Sequence, residues 1–389
     1  MSPAPHPLRR IAVPAFGPSL LFGIGEGAIL PILPLTARDL GGSVSVAALM
    51  VALMGIGSLV SNLPASVFTM RFGERRAIVA AALWAALGLV LCAVTQHLGV
   101  FAAGCVMVGM SQAVFNLARQ SYLSEAVPPE WRARALSTLG GVMRIGLFIG
   151  PFVSAAAVHA WGFVGAYGAG VVALLIAAAV AARIPDLEAH TLPGARLSFA
   201  STLREHRHVF VTLGIGVMLV AAVRASRQAV IPLWADHLGL APSVASLIYG
   251  LAGGIDMLVF YPAGKVMDLK GRRWVAVPSM LVMGTALLLM PFTTGPWTLL
   301  IAAMAIGFGN GIGSGLVMTL GADHSPPGRR AHFLGVWRLM ADLGSTCGPV
   351  LLSFVAVALT LGAGVAMTGL LALSGAAVLG YWIPRAGRH

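Results

Sequence analysis

Long uncharged apolar runs, broken by short polar connections, recur along the chain from Ile11 to Trp382. A helix needs about 20 mostly apolar residues to cross a bilayer. The pattern predicts twelve such helices, over residues 11–36, 45–70, 77–95, 98–119, 134–158, 162–182, 209–234, 243–265, 274–293, 297–320, 331–358 and 362–383. Inside lipid each segment must satisfy its own backbone hydrogen bonds, so every run reads as a helix and the fold class as all-α integral membrane. The Arg9-Arg10 start leads into a long helix without a small-residue cleavage site, which argues against a removable signal peptide.

Shifted by 198 positions, the chain matches itself without a gap from Pro34 to Pro151. Ser45-Val46-Ala47 returns as Ser243-Val244-Ala245, Pro64-Ala65 as Pro262-Ala263, Gly73 as Gly271, Pro128-Pro129 as Pro326-Pro327, and Gly150-Pro151 as Gly348-Pro349. The repeat predicts two pseudo-symmetric six-helix bundles, residues 1–182 and 209–389, joined by a polar linker over 183–208. An even number of helices per half makes the repeat parallel, one of the arrangements of secondary transporters. Within the linker, Ser198–His208 could form a short surface helix, and His206-Arg207-His208 lacks the Cys or carboxylate partners of a metal site. A solvated basic face is the expectation there.

Composition agrees: of 389 residues 58% are hydrophobic and only 10% charged, far from a soluble enzyme. The net charge of +12 might suggest nucleic acid, so its distribution decides. With the N-terminus in the cytoplasm, 20 of the 25 basic residues, Arg119 among them, fall in inner segments and only Arg38 in an outer one. That bias places both termini in the cytoplasm and excludes a nucleic-acid groove, the charge being spread over short loops. Cys92, Cys105 and Cys347 are odd in number and read as small core residues.

Three motifs stand out. Gly264-Lys265-Val266-Met267-Asp268-Leu269-Lys270-Gly271-Arg272-Arg273 follows the eighth span. Its first-half counterpart has Met70 in place of the acid, then Gly73, Glu74 and Arg75. Gly146, Gly150 and Pro151 in the fifth span are echoed by Gly344, Gly348 and Pro349 in the eleventh, a spacing that lets helices pack closely. In the tenth span Gly307, Gly311 and Gly315 make a small-residue stripe suited to packing, and no strand precedes them as a dinucleotide site would require. The first motif resembles the loop signature of the major facilitator superfamily. The second, with the Ala118-to-Arg134 connection, resembles that of its twelve-helix drug and metabolite efflux members. The resemblance implies that Gly264 allows close helix approach and that Asp268, Arg272 and Arg273 act in gating. It also implies peripheral helices at positions 3, 6, 9 and 12 and a cavity lined by the others.

Seven charges lie well inside predicted spans: Glu26, Arg144, Arg224, Arg227, Asp256, Arg338 and Asp342. Each is costly in lipid and should face a partner or cavity. None falls in spans 3, 6, 9 or 12. Glu26, among Gly23, Gly25 and Gly27, reads first as the proton-coupling carboxylate, or else as one half of a static ion pair with the seventh span. Asp256 and Asp342 are the other acids, although Asp342 could simply neutralise Arg338 one turn away. Arg144, Arg224, Arg227, Gln228, Asn310 and Arg338 are the candidate cavity residues. The sequence therefore predicts a transporter, with no enzymatic motif, cofactor or metal, acting as a monomer in a bacterial inner membrane. The expected activity is proton-coupled efflux of small organic molecules by alternating access of the two halves; a sugar or organic-anion exporter of the same fold is the alternative.

Overall fold

The computed structural model describes residues 7–127, 129–184, 204–325 and 330–386, and among these every regular element is a helix. The chain forms two compact units, Met1–Leu40 with Leu53–Pro193, and Gly41–Ala52 with Gly194–His389. The helices of more than five residues are α1 (Pro7–Ile29), α2 (Leu33–Asp39), α3 (Val44–Phe72), α4 (Glu74–Val94), α5 (Leu98–Ala126), α6 (Pro129–Ala181), α7 (Ile215–His237), α8 (Pro242–Lys270), α9 (Arg273–Leu289), α10 (Pro296–Ile312), α11 (Leu316–His324), α12 (Arg330–Ala358) and α13 (Leu361–Ala386). The start of α3 groups with the second unit, where Ser353 Oγ donates to the Ser45 carbonyl at 2.8 Å. Most of the linker expected over 183–208 lies outside the described residues.

Among the described residues, eleven helical stretches are long and apolar enough to cross a membrane. The difference from twelve arises in α6, whose stretch Thr138–Ala181 holds 44 residues. That length would extend about 66 Å as straight helix, roughly twice the hydrocarbon thickness. Gly162 interrupts it with φ 65° and ψ −161°, so the backbone turns where the sequence separates two spans. In the second half the corresponding place is an open break, between Ala358 and Leu361.

The 198-residue repeat recurs in the packing of each unit. A methyl group on Gly109 would overlap the Met54 carbonyl, and one on Gly307 the Ala252 carbonyl, the same pair shifted by 198. Likewise Gly146 lies against the Leu20 carbonyl and Gly344 against that of Met218. Without a hydrophobic drive between helices in lipid, such backbone contact supplies the dispersion energy that holds them. Gly73 and Gly271, one repeat apart, both turn with positive φ, 82° and 93°, where a side chain would strain the backbone.

Gly264 behaves otherwise: among the described residues a methyl group there would meet nothing within 4 Å, in contrast to the close approach expected at the head of the loop motif. Gly150, by contrast, would place its methyl 2.5 Å from the Gly27 carbonyl carbon. Gly150→Ala should therefore cost about 1–3 kcal/mol by overpacking. Gly264→Ala should gain about 0.5–1 kcal/mol of helix stability. Thermal unfolding of the two variants in detergent, run side by side, tests the opposite signs.

Candidate functional site

In the first unit the site is built on two facing pairs of residues one turn apart. Phe22 and Glu26 share a face of α1, and Phe115 and Arg119 share a face of α5, since residues four apart stack on a helix. The rings of Phe22 and Phe115 stack at 3.9 Å, the Arg119 guanidinium sits 5.7 Å from the Phe115 centroid, and its charge acts on the half-buried Glu26. Arg119 was expected among the inner segments, at the very end of the span over 98–119; it lies instead well within the apolar stretch Leu98–Leu123, because α5 runs on past residue 119 to Ala126. Gly23 and Gly27 bring α1 onto α6, against the Met143 and Leu147 carbonyls. That contact leaves the Phe22–Glu26 face turned to α5.

In the second unit α7, α8 and α10 converge on one carboxylate. Arg227 Nη2 lies 3.3 Å from Asp256 Oδ2, with side chains only 17% and 15% exposed, and Asn310 Nδ2 donates to the same oxygen. Arg224 Nη2 donates to the Asn310 carbonyl at 3.5 Å. That carbonyl is available because the tenth span is broken: α10 ends at Ile312, residues 313–315 turn, and α11 begins at Leu316. Ser314 N–H turns to the Gly311 carbonyl at 3.2 Å instead of continuing the helix to Asn310.

The glycines of this span therefore do two things. Gly307 and Gly311 press α10 onto Ala252 and Asp256 of α8, as the stripe predicts. Gly313 and Gly315 flank the break, and a methyl on Gly313 would come within 2.9 Å of Arg224 Nη2. Ser279 Oγ of α9 ties the break down by donating to the Gly309 carbonyl at 2.6 Å. Three buried oxygens here, Asp256 Oδ1, Asn310 Oδ1 and Ser226 Oγ, have no hydrogen-bond partner among the described residues. Buried polar atoms normally find one. The arrangement thus combines cationic donors, a carboxylate and spare acceptors inside apolar helices, and can exchange a proton or hold a polar ligand group.

The other candidate residues are more scattered. Arg144 on α6 and Gln228 on α7 are half-buried; on α12 Asp342 is half-buried and Arg338 exposed. Cys92 and Cys105 are buried as expected, but Cys347 is exposed. His206 and His208 pack edge-on against Phe333 and Trp382 rather than forming a purely solvated face. No metal-binding group of side chains occurs among the described residues.

Arg272 of the loop motif makes a two-pronged pair with Asp323 on α11, Nε to Oδ2 at 2.8 Å and Nη2 to Oδ1 at 3.2 Å. It also donates to the Met267 carbonyl near the end of α8, and Arg273 is exposed. The Asp268 side chain lies outside the described residues. In the first-half copy Glu74 Oε1 accepts from Ser121 Oγ at 2.9 Å, and Arg75 donates to the Ile184 carbonyl at 3.4 Å. The two copies thus fasten the loop with different chemistry. Since the Arg272–Asp323 pair is about a third exposed, Asp323→Asn should cost no more than about 1 kcal/mol, recovered in part by exchanging the two charges. Thermal unfolding of the single and exchanged variants measures this.

These features define a multi-pass membrane transporter. A family-wide profile described as the Major Facilitator Superfamily matches residues 18–223 and 213–389, and the chain belongs to that superfamily. It is 23% identical to the tetracycline resistance protein, class C, of Escherichia coli, over 87% of this chain and 88% of that protein. It is 21% identical to the quinolone resistance protein NorA of Staphylococcus aureus (strain MSSA476), over 77% of this chain and 78% of that one. The crystal structure of a D-xylose–proton symporter shares the fold, with a TM-score of 0.76 at 17% identity over 96% of this chain and 97% of that chain. Among superfamily members the chain resembles the drug:proton antiporter group.

Proposed function

We propose that this protein is a proton-coupled exporter of small organic molecules, drug-like or metabolic. The observation that carries the reading is an acid set against an arginine within the apolar helices of each unit, Glu26 with Arg119 and Asp256 with Arg227. A charge within a membrane span is costly and by default functional. Glu26 is the first proton carrier, with Asp256 and Asp342 as further acids. Arg144, Arg224, Arg227, Gln228, Asn310 and Arg338 serve the substrate. Protonation and substrate loading favour opposite states of an alternating-access cycle, so neither crosses alone.

The names of the tetracycline and quinolone resistance proteins support export, and the basic bias of the short loops supports a bacterial inner membrane with both termini cytoplasmic. The turn at Gly162, which coincides with the second-half break before α13, supports twelve crossings in two six-helix halves. The protein acts as a monomer, and the loop motif residues Gly73, Arg75, Gly264, Asp268, Gly271, Arg272 and Arg273 gate it.

A second reading has its own support. Within the predicted spans four arginines, Arg144, Arg224, Arg227 and Arg338, stand against three acids, Glu26, Asp256 and Asp342, which favours a substrate carrying an anionic or polyhydroxy group. Substrate-induced proton movement in proteoliposomes, screened over lipophilic cations, organic anions and sugars, tests both. Export reads out as proton flux opposite to substrate; competition by lipophilic cations removes the second reading, and absence of proton movement with every transported solute removes the first.

A further inference from the structure

The face formed by α9 and α13 carries a cavity that the transport site does not use. The two helices meet tightly where a methyl added to Gly284 would lie 3.0 Å from the Gly369 carbonyl, and they are still close near the other end, where one added to Gly380 would lie 3.1 Å from Val277 Cγ2; the cavity is the open crease along this seam. The open crease between them holds about 610 Å³. Its walls are two stripes of residues four apart: Arg273, Val277 and Leu281 on α9, and Leu373, Ala377 and Tyr381 on α13. Arg273 to Leu281 spans eight residues, about 12 Å of helix rise. The groove is therefore cationic and aromatic at one end and wholly apolar at the other.

Its polar end stands where a chain leaves the bilayer. Arg273 is the first residue of α9, with Lys270 exposed just before it and Trp274 64% exposed just after. Arg272 is engaged with Asp323, so Arg273 is the motif cation that faces the groove, and among the described residues no carboxylate lines it. Tyr381 is 52% exposed on the opposite wall, as aromatic residues are at the level of lipid headgroups. Leu281, 44% exposed, continues the apolar wall outward.

We propose that this groove is a binding site for one anionic glycerophospholipid of the surrounding bilayer, its phosphate on Arg273, its ester region beside Tyr381, and an acyl chain laid between Val277, Leu281 and Leu373. The cation at one end selects an anionic over a zwitterionic headgroup, and the apolar end takes the first part of an acyl chain of either lipid. The small residues Ala376, Ala377 and Gly380 line its floor. The site acts independently of which solute the protein carries.

The test is native mass spectrometry of the delipidated full chain, incubated with phosphatidylglycerol or phosphatidylcholine of identical acyl chains. The wild type should retain phosphatidylglycerol about fivefold better, the worth of one arginine near a headgroup. Arg273→Gln should remove the preference while leaving the chain-dependent binding common to both lipids. Ala377→Trp, which fills the groove from an exposed position, should lower retention of both; if it fails to fold, Ala377→Leu is the smaller plug and should act in the same direction. Equal retention of the two lipids by the wild type would overturn the proposal. So would an unchanged preference in Arg273→Gln, or unchanged retention in a folded groove-filling variant.

Discussion

Glu26→Gln is expected to reduce proton-gradient-driven transport to the level of protein-free liposomes while the protein remains folded. The substitution keeps the size and most hydrogen bonding of the side chain but removes its capacity to take up and release a proton. The close packing of α1 rests on other groups: Gly23 and Gly27 hold it against α6 and Phe22 against Phe115. Exchange of labelled for unlabelled substrate, which needs no net proton movement, should therefore survive. Glu26→Asp should retain a reduced driven flux, because the carboxylate is kept but drawn back from Arg119. Full proton-coupled flux in Glu26→Gln would remove Glu26 from the coupling role and transfer the burden to Asp256 or Asp342. Loss of both driven flux and exchange would mark it as a structural residue instead.

Much of this architecture could be read before any coordinates, and the reasons for the rest are physical. The repeat was legible because it is written in residues that backbone contact cannot spare: Gly109 and Gly307, or Gly146 and Gly344, touch equivalent carbonyls in the two units. The intramembrane acids were legible because a charge among apolar residues is conspicuous. Arg119 was not, since hydropathy marks where a run of apolar residues ends but not how far the helix continues, and α5 carries on for seven residues beyond it. Asp323 escaped notice because its partner Arg272 is 51 residues away and only packing joins them. The glycine run of the tenth span predicted a packing stripe and delivered one at Gly307 and Gly311. The same residue type two positions out of step, at Gly313, permits the break, and composition does not distinguish the two uses. Gly264 shows the converse, a motif glycine with open space around it.

The second large effect concerns the pair at that break. Asp256→Ala should destabilise the second unit by about 2–4 kcal/mol, because it leaves Arg227 in a low-dielectric setting without its carboxylate. The loss extends further than one ion pair: Asn310 Nδ2 donates to the same Asp256 oxygen, and Arg224 holds the Asn310 carbonyl, so the removal loosens a chain of contacts across α7, α8 and α10. Asp256→Asn should cost less, since it preserves an oxygen for Arg227 and the shape that Gly311 packs against. The double variant Arg227→Gln with Asp256→Asn should recover most of the stability, as a neutral hydrogen-bonded pair avoids the desolvation that two charges incur. Transport separates the roles. If the pair only holds helices together, the double variant regains both stability and flux; if Asp256 also passes protons, stability returns while proton-driven flux does not. Thermal unfolding and proteoliposome flux measured on the same preparations read the two quantities independently, and a wild-type melting curve for Asp256→Ala would show that the second unit does not rest on this network.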